Sequence, residues 1–162
     1  PGLGCAGRGI IATFSLLEDL ELFEIHQPDV VLYDVLGDVV CGGFSMPMRR
    51  GYADKVFVIT SGENMAIHAA ANIAMAVENF KDRGYAQLGG LILNRRNVKN
   101  EDAKVEELAE DIHSKVIGTL SRSALVTDAE EQKKTVIEAY PDSEMAEEYR
   151  ILAGEICTLC EI

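Results

Sequence analysis

The 162 residues, 48% of them hydrophobic, with a mean hydropathy of +0.04, suit a single domain with a sizeable core and exclude a disordered chain. A formal net charge of −12 argues against nucleic acid or an anionic membrane as partner, and no apolar run approaches the length of a membrane span. No signal peptide is expected, and four cysteines without framework spacing point to a reducing, cytoplasmic compartment.

The chain opens on a glycine-rich loop, Pro1-Gly2-Leu3-Gly4-Cys5-Ala6-Gly7-Arg8-Gly9, followed by Ile10, Phe14, Leu17 and Leu20 at roughly helical spacing. Cys5 therefore lies near a helix N-terminus, where the helix dipole favours thiolate, and Arg8 adds positive charge nearby. A phosphate loop of the form G-x-x-x-x-G-K-[ST] occurs nowhere in the sequence. Residues 1–162 are thus expected to be the C-terminal portion of a single α/β domain whose phosphate cradle lies upstream of Pro1.

Next comes the segment on which the functional reading turns, Val30-Val31-Leu32-Tyr33-Asp34-Val35-Leu36-Gly37-Asp38. Its β-branched and aromatic run reads as a buried strand that delivers Asp34 to the C-terminal edge of a parallel sheet, where such sheets bind ligands. Asp34-x-x-Gly37 is the arrangement a nucleotide hydrolase uses after an acidic strand. The aspartate holds magnesium, and the glycine amide approaches a terminal phosphate. Cys41, followed by Gly42-Gly43, ends the same loop.

Lys55–Thr60 reads as a second buried strand, and Ser61-Gly62-Glu63 turns into a long helix through Phe80 whose many alanines permit close packing on a sheet. Leu91-Ile92-Leu93 is a further strand that places Asn94 at the ligand edge, followed by Arg95 and Arg96 as a solvated pair. A helix starts at Asn100-Glu101-Asp102 and carries Val105, Leu108, Ala109 and Ile112 on one face. Val116–Leu120 is the next strand, and the alternation predicts a mostly parallel sheet with helices on both faces. The last helix, capped at Asp142 or Ser143, is expected to bury Ala146, Tyr149, Leu152, Ala153 and Ile156 and to turn Glu144, Glu147 and Glu148 to water. His26, His68 and His113 read as ordinary positions, and Met46, Met48, Met65 and Met75 as packing. Cys157 and Cys160 form an isolated C-x-x-C pair at a terminus and carry no assigned role.

Cys5 and Cys41 are too few for an iron-sulfur cube, which takes four thiolates. Either a two-fold dimer supplies the other two, or both are buried structural cysteines. The loop shared by Asp34 and Cys41 favours the first.

The opening loop together with Tyr33-Asp34-Val35-Leu36-Gly37-Asp38-Val39-Val40-Cys41-Gly42-Gly43-Phe44 closely resembles the nitrogenase iron protein family. The resemblance runs on through Ser61-Gly62-Glu63, Gly89–Asn97 and Thr135–Glu138. It implies a P-loop-type α/β fold and an ATP-dependent reductase that passes electrons from a 4Fe-4S cluster to a catalytic nitrogenase partner during nitrogen fixation. It further implies that Cys5 and Cys41 ligate one cluster bridging a homodimer. Asp34 would be associated with the magnesium of MgATP, Gly37 would follow the γ-phosphate, Asp38 would orient the attacking water in catalysis, and Asn94 would recognise adenine. Arg8 would lie on the partner-docking surface, at a position that is modified in some relatives. A low-potential donor such as ferredoxin or flavodoxin would refill the cluster.

Ser121-Arg122-Ser123 departs from the Pro-Arg-Asp usual in that family close to the nucleotide. Two alternatives therefore accompany the reading. One is a reductase of a nitrogenase-like system acting on a tetrapyrrole or a methylthio-alkane. The other is a P-loop ATPase of the partitioning or cluster-scaffold type, which would have no reason to place cysteines at both Cys5 and Cys41.

Overall fold

The computed structural model describes residues 7–35, 47–48, 52–81 and 84–162. Its framework is a three-stranded sheet of β1 (Lys55–Thr60), β2 (Gln87–Asn94) and β3 (Val116–Leu120), in the order β1-β2-β3. Both pairings are parallel. Each crossover carries a helix, α3 (Asn64–Phe80) between β1 and β2 and α4 (Glu101–Asp111) between β2 and β3. Helices α5 (Ala124–Glu131), α6 (Val136–Ala139) and α7 (Glu144–Cys160) follow, while α1 (Gly7–Asp19) and α2 (Leu22–His26) precede the sheet. The expected α/β class with helices on both faces is what forms.

The strands' buried side chains sort into two cores, one on each face of the sheet. Val58, Leu91 and Leu93 face α3 and α4, packing with Ala70, Ile73, Val77, Val105 and Leu108. Ile92, Ile117 and Leu120 face the other way, against Ala129, Val136, Met145, Ala146 and Leu152 of α5, α6 and α7. Small residues set how closely the layers approach. Ala70 and Ala74 are buried on α3, and a Cβ on Gly118 would come within 2.7 Å of Leu152 on α7. Burial of each large apolar side chain in these layers is worth about 1.5–3 kcal/mol.

Helix ends follow local chemistry. Ser143, at 3.1 Å, accepts from the Ala146 amide and caps α7, while Thr135 and Glu138 form a reciprocal capping box on α6. Those bonds, the Thr135 backbone N–H first, hold the Glu138 carboxyl below its usual range.

Four expectations need correction. Residues 30–35 form no strand. A strand needs a ladder partner for its backbone groups, and among the described residues no strand lies beside this segment. Val30, Val31, Leu32 and Val35 are accordingly exposed, Leu32 at 84%. Tyr33 alone finds apolar cover, its ring 5.2 Å from that of Phe14, and burial raises its phenol pKa. Phe14 is also in edge contact with Tyr52 at 4.6 Å, and the Tyr52 hydroxyl donates to Glu18. Second, Met65 and Met75 are exposed on α3, so of Met48, Met65 and Met75 Met48 alone packs in the core. Third, Ala153 is exposed on α7, which buries Met145 instead. The fourth concerns Glu148, which does not face water but binds a strand-end loop.

Candidate functional site

Because all three strands are parallel, their C-terminal ends lie side by side: Thr60, Asn94 and Leu120, with Thr60 paired to Leu93 and Asn94 to Leu120. The loops Ser61-Gly62-Glu63, Arg95–Asn100 and Ser121-Arg122-Ser123 leave from that edge. Here the protein keeps its buried polar residues. Among the described residues, Thr60, Ser61 and Glu101 are the polar or charged side chains that are buried. Burying polar groups is costly unless they are bonded, so their concentration at one sheet edge marks a built feature.

The bonds are specific. Glu101, in the first turn of α4, accepts from the Arg96 amide at 2.9 Å and the Asn97 amide at 3.1 Å. The Arg95 amide donates to the Leu120 carbonyl at 2.9 Å, and its guanidinium pairs with Asp102. That hydrogen bond holds the Asp102 carboxyl below and the Arg95 guanidinium above their ordinary values. Lys104 Nζ donates to the Gly62 carbonyl at 3.2 Å and to Asn64 at 3.4 Å, and Arg122 reaches the Arg96 carbonyl at 3.5 Å. Just after β3, Ser121 gives both its amide, at 2.6 Å, and its hydroxyl, at 2.7 Å, to Glu148 of α7. Ser123 caps α5 by accepting from the Leu125 amide at 3.2 Å.

Asn94 stands at the end of β2 and is exposed, and its carboxamide makes no hydrogen bond among the described residues. A carboxamide so placed can donate and accept at once. Asp34 is exposed as well and is not joined to this network. Gly37, Asp38, Cys5 and Cys41 lie outside the described residues, as does Met46, and of Arg8 only its place in the first turn of α1 is described. Cys157 and Cys160 are free thiols, half-buried on α7. No group of three or more His, Cys, Asp or Glu able to hold a metal occurs among the described residues, and no helix there is long and apolar enough to cross a membrane.

Glu101, Lys104 and Glu148 were not anticipated. Sequence alone makes Glu101 one more acid in a helix's first turn and Glu148 one of several glutamates on a solvated face. The one available signal was Gly62, a glycine in the short loop leaving a strand, which marks a close approach. A Cβ there would lie 2.1 Å from Glu101 Cβ and 2.6 Å from its Cα.

Residues 1–161 match the model of the 4Fe-4S iron sulfur cluster binding proteins of the NifH/frxC family. The chain belongs to that family. Among the curated NifH/frxC relatives, the nitrogenase iron protein of Methanospirillum hungatei JF-1 is 51% identical over 98% of this chain and 56% of its own length. Nitrogenase iron protein 2 of Methanothermobacter thermautotrophicus is 49% identical over 96% of this chain and 57% of its own. The chain therefore spans little more than half the length of the curated relatives it matches. Among solved structures, the cell division ATPase MinD of Pyrococcus furiosus superposes with a TM-score of 0.54 at 16% identity, covering 67% of this chain and 44% of MinD. That likeness establishes the shared α/β fold.

Proposed function

We propose that this chain is the C-terminal portion of an ATP-dependent iron-sulfur reductase that supplies electrons to the catalytic component of nitrogenase. The observation that carries the reading is membership of the NifH/frxC family across residues 1–161, with relatives named as nitrogenase iron proteins at about half identity. Asn94, unbonded at the sheet's ligand edge among the described residues, supports an adenine contact, and Asp34 supplies a carboxylate for the magnesium of MgATP. Gly37 follows the γ-phosphate, and Asp38 orients the attacking water. Cys5 and Cys41 of two chains would hold the shared cluster, which supplies a one-electron carrier when bound. Arg8, three residues past Cys5 in sequence, would lie on the docking surface.

The chain's own contribution is a switch. A contact of Gly37 with a phosphate present in only one nucleotide state gives the two states the differential contact that any ligand-driven change requires. Asp34, Gly37, Asp38 and Cys41 share one short segment, so that contact is relayed within a few residues to a thiolate. A different segment supports a second reading within the family: Ser121 and Ser123 stand in place of the usual proline and aspartate, which keeps a nitrogenase-like reductase as the alternative.

The test is coupled turnover by the complete polypeptide with a low-potential donor, MgATP and the nitrogenase catalytic component. Electron delivery is expected to require MgATP, and Asp38→Glu to hydrolyse ATP without delivering electrons. Delivery at an undiminished rate without ATP would overturn the reading.

A further inference from the structure

We propose that Glu101 is a positioning residue for base recognition, holding the backbone behind Asn94 so that the carboxamide is aimed before any nucleotide arrives. The proposal rests on the reading of Asn94 as the adenine contact. The three amides that follow Asn94 are all engaged. Arg95 N–H donates to the Leu120 carbonyl on the neighbouring strand, and those of Arg96 and Asn97 donate to the two carboxylate oxygens of Glu101 at 2.9 and 3.1 Å. With the backbone pinned on both sides, Asn94 keeps only its side-chain rotations, and binding need not order the loop as well.

The form of the anchor is unusual for a first-turn acid. An ordinary acid there faces solvent and gains a little from the helix dipole, whereas Glu101 is only 5% exposed. Its backbone sits against Gly62, with room for no Cβ on that glycine. Lys104, one turn along α4, donates to the Gly62 carbonyl. The N-terminal turn of α4 is thereby wedged between the loops that leave β1 and β2. Asn97 and Asn100 take left-handed backbone conformations, φ 61° and 57°, which asparagine tolerates better than most residues. They let the loop curl back far enough for Glu101 to reach its amides.

Glu101→Gln is the discriminating variant, because it keeps the volume but removes the charge and turns an amide NH₂ toward one of the two backbone donors. In the complete polypeptide, affinities for ATP, GTP and inorganic tripolyphosphate separate base recognition from phosphate binding. Glu101→Gln is expected to weaken ATP by roughly tenfold, as loss of a charged hydrogen-bond anchor does, and to erode the preference for ATP over GTP while leaving tripolyphosphate unchanged. Asn94→Ala is expected to lose the same preference. Wild-type discrimination in Glu101→Gln alongside its loss in Asn94→Ala would overturn the inference while sparing the base reading. Equal loss of ATP and tripolyphosphate in Glu101→Gln would make the residue merely structural. Unchanged discrimination in Asn94→Ala would overturn the base reading, and the inference with it. Should Glu101→Gln fail to fold, hydrogen exchange on the wild type decides. The Arg96 and Asn97 amides are expected to be protected before nucleotide is added, and free exchange until ATP binds would contradict preorganisation.

Discussion

Val30–Asp34 and β2 are both runs of apolar residues that end in a polar residue suited to a ligand edge, yet only one is a strand. β2 has a parallel neighbour on each side and a helix layer over each face, and Leu91, Ile92 and Leu93 are at most 3% exposed. The earlier run has no strand neighbour among the described residues, and apart from Tyr33, which packs on Phe14, its side chains stand in solvent. Hydrophobic composition supplies the tendency toward extended structure, but the ladder comes from tertiary partners. α1 shows the same dependence: Phe14 is buried beneath two tyrosines while Ile11 and Leu16 remain exposed.

That contrast can be broken or sharpened by substitution. Leu91→Ala, at a fully buried site, is expected to cost about 2–5 kcal/mol in urea unfolding of the chain, while Leu32→Ala costs less than about 0.5 kcal/mol. A comparable loss at both positions would mean that residues 30–35 pack as a strand does.

Gly62→Ala probes the wedge between the β1 and β2 loops. The new Cβ would meet Glu101 Cα, which cannot rotate away, so a loss of about 1–3 kcal/mol is expected. Gly118→Ala should be milder, since it meets the tip of Leu152. Thermal melts of the two variants check the order.

Ser121→Pro restores the residue usual in the family but removes both donors to Glu148. It is expected to destabilise by about 1–3 kcal/mol, with the double variant Ser121→Pro/Glu148→Gln recovering part of the loss in denaturant titrations.

The smallest effect belongs to Asp102. Its pKa is lowered chiefly by the Arg95 hydrogen bond, so the pair stabilises above the usual carboxylate range, and that stability fades as pH falls through the depressed value. Solvent screening keeps it below about 0.5 kcal/mol, and Asp102→Asn should flatten this part of the pH–stability curve.

Much of the architecture was legible because the apolar, β-branched runs of β1 and β3 alternate with a helix rich in alanine, α3. The bounds of β3 and the end of α3 at Phe80 agree with the sequence reading. At the site, Asn94 was legible as the end of a strand. Glu101 and Glu148 were not, because a carboxylate that binds distant amides has the same local sequence as one facing water. The strand expected at Val30–Val35 depended on neighbours that no local pattern reports.

The central claim is that two chains share one cluster through Cys5 and Cys41, and iron content tests it most directly. Anaerobically prepared complete polypeptide is expected to hold about two iron atoms per chain in a dimer. Cys41→Ser should lose the iron and Cys157→Ser should keep it. Iron retained in Cys41→Ser, or lost equally from both variants, would contradict the account.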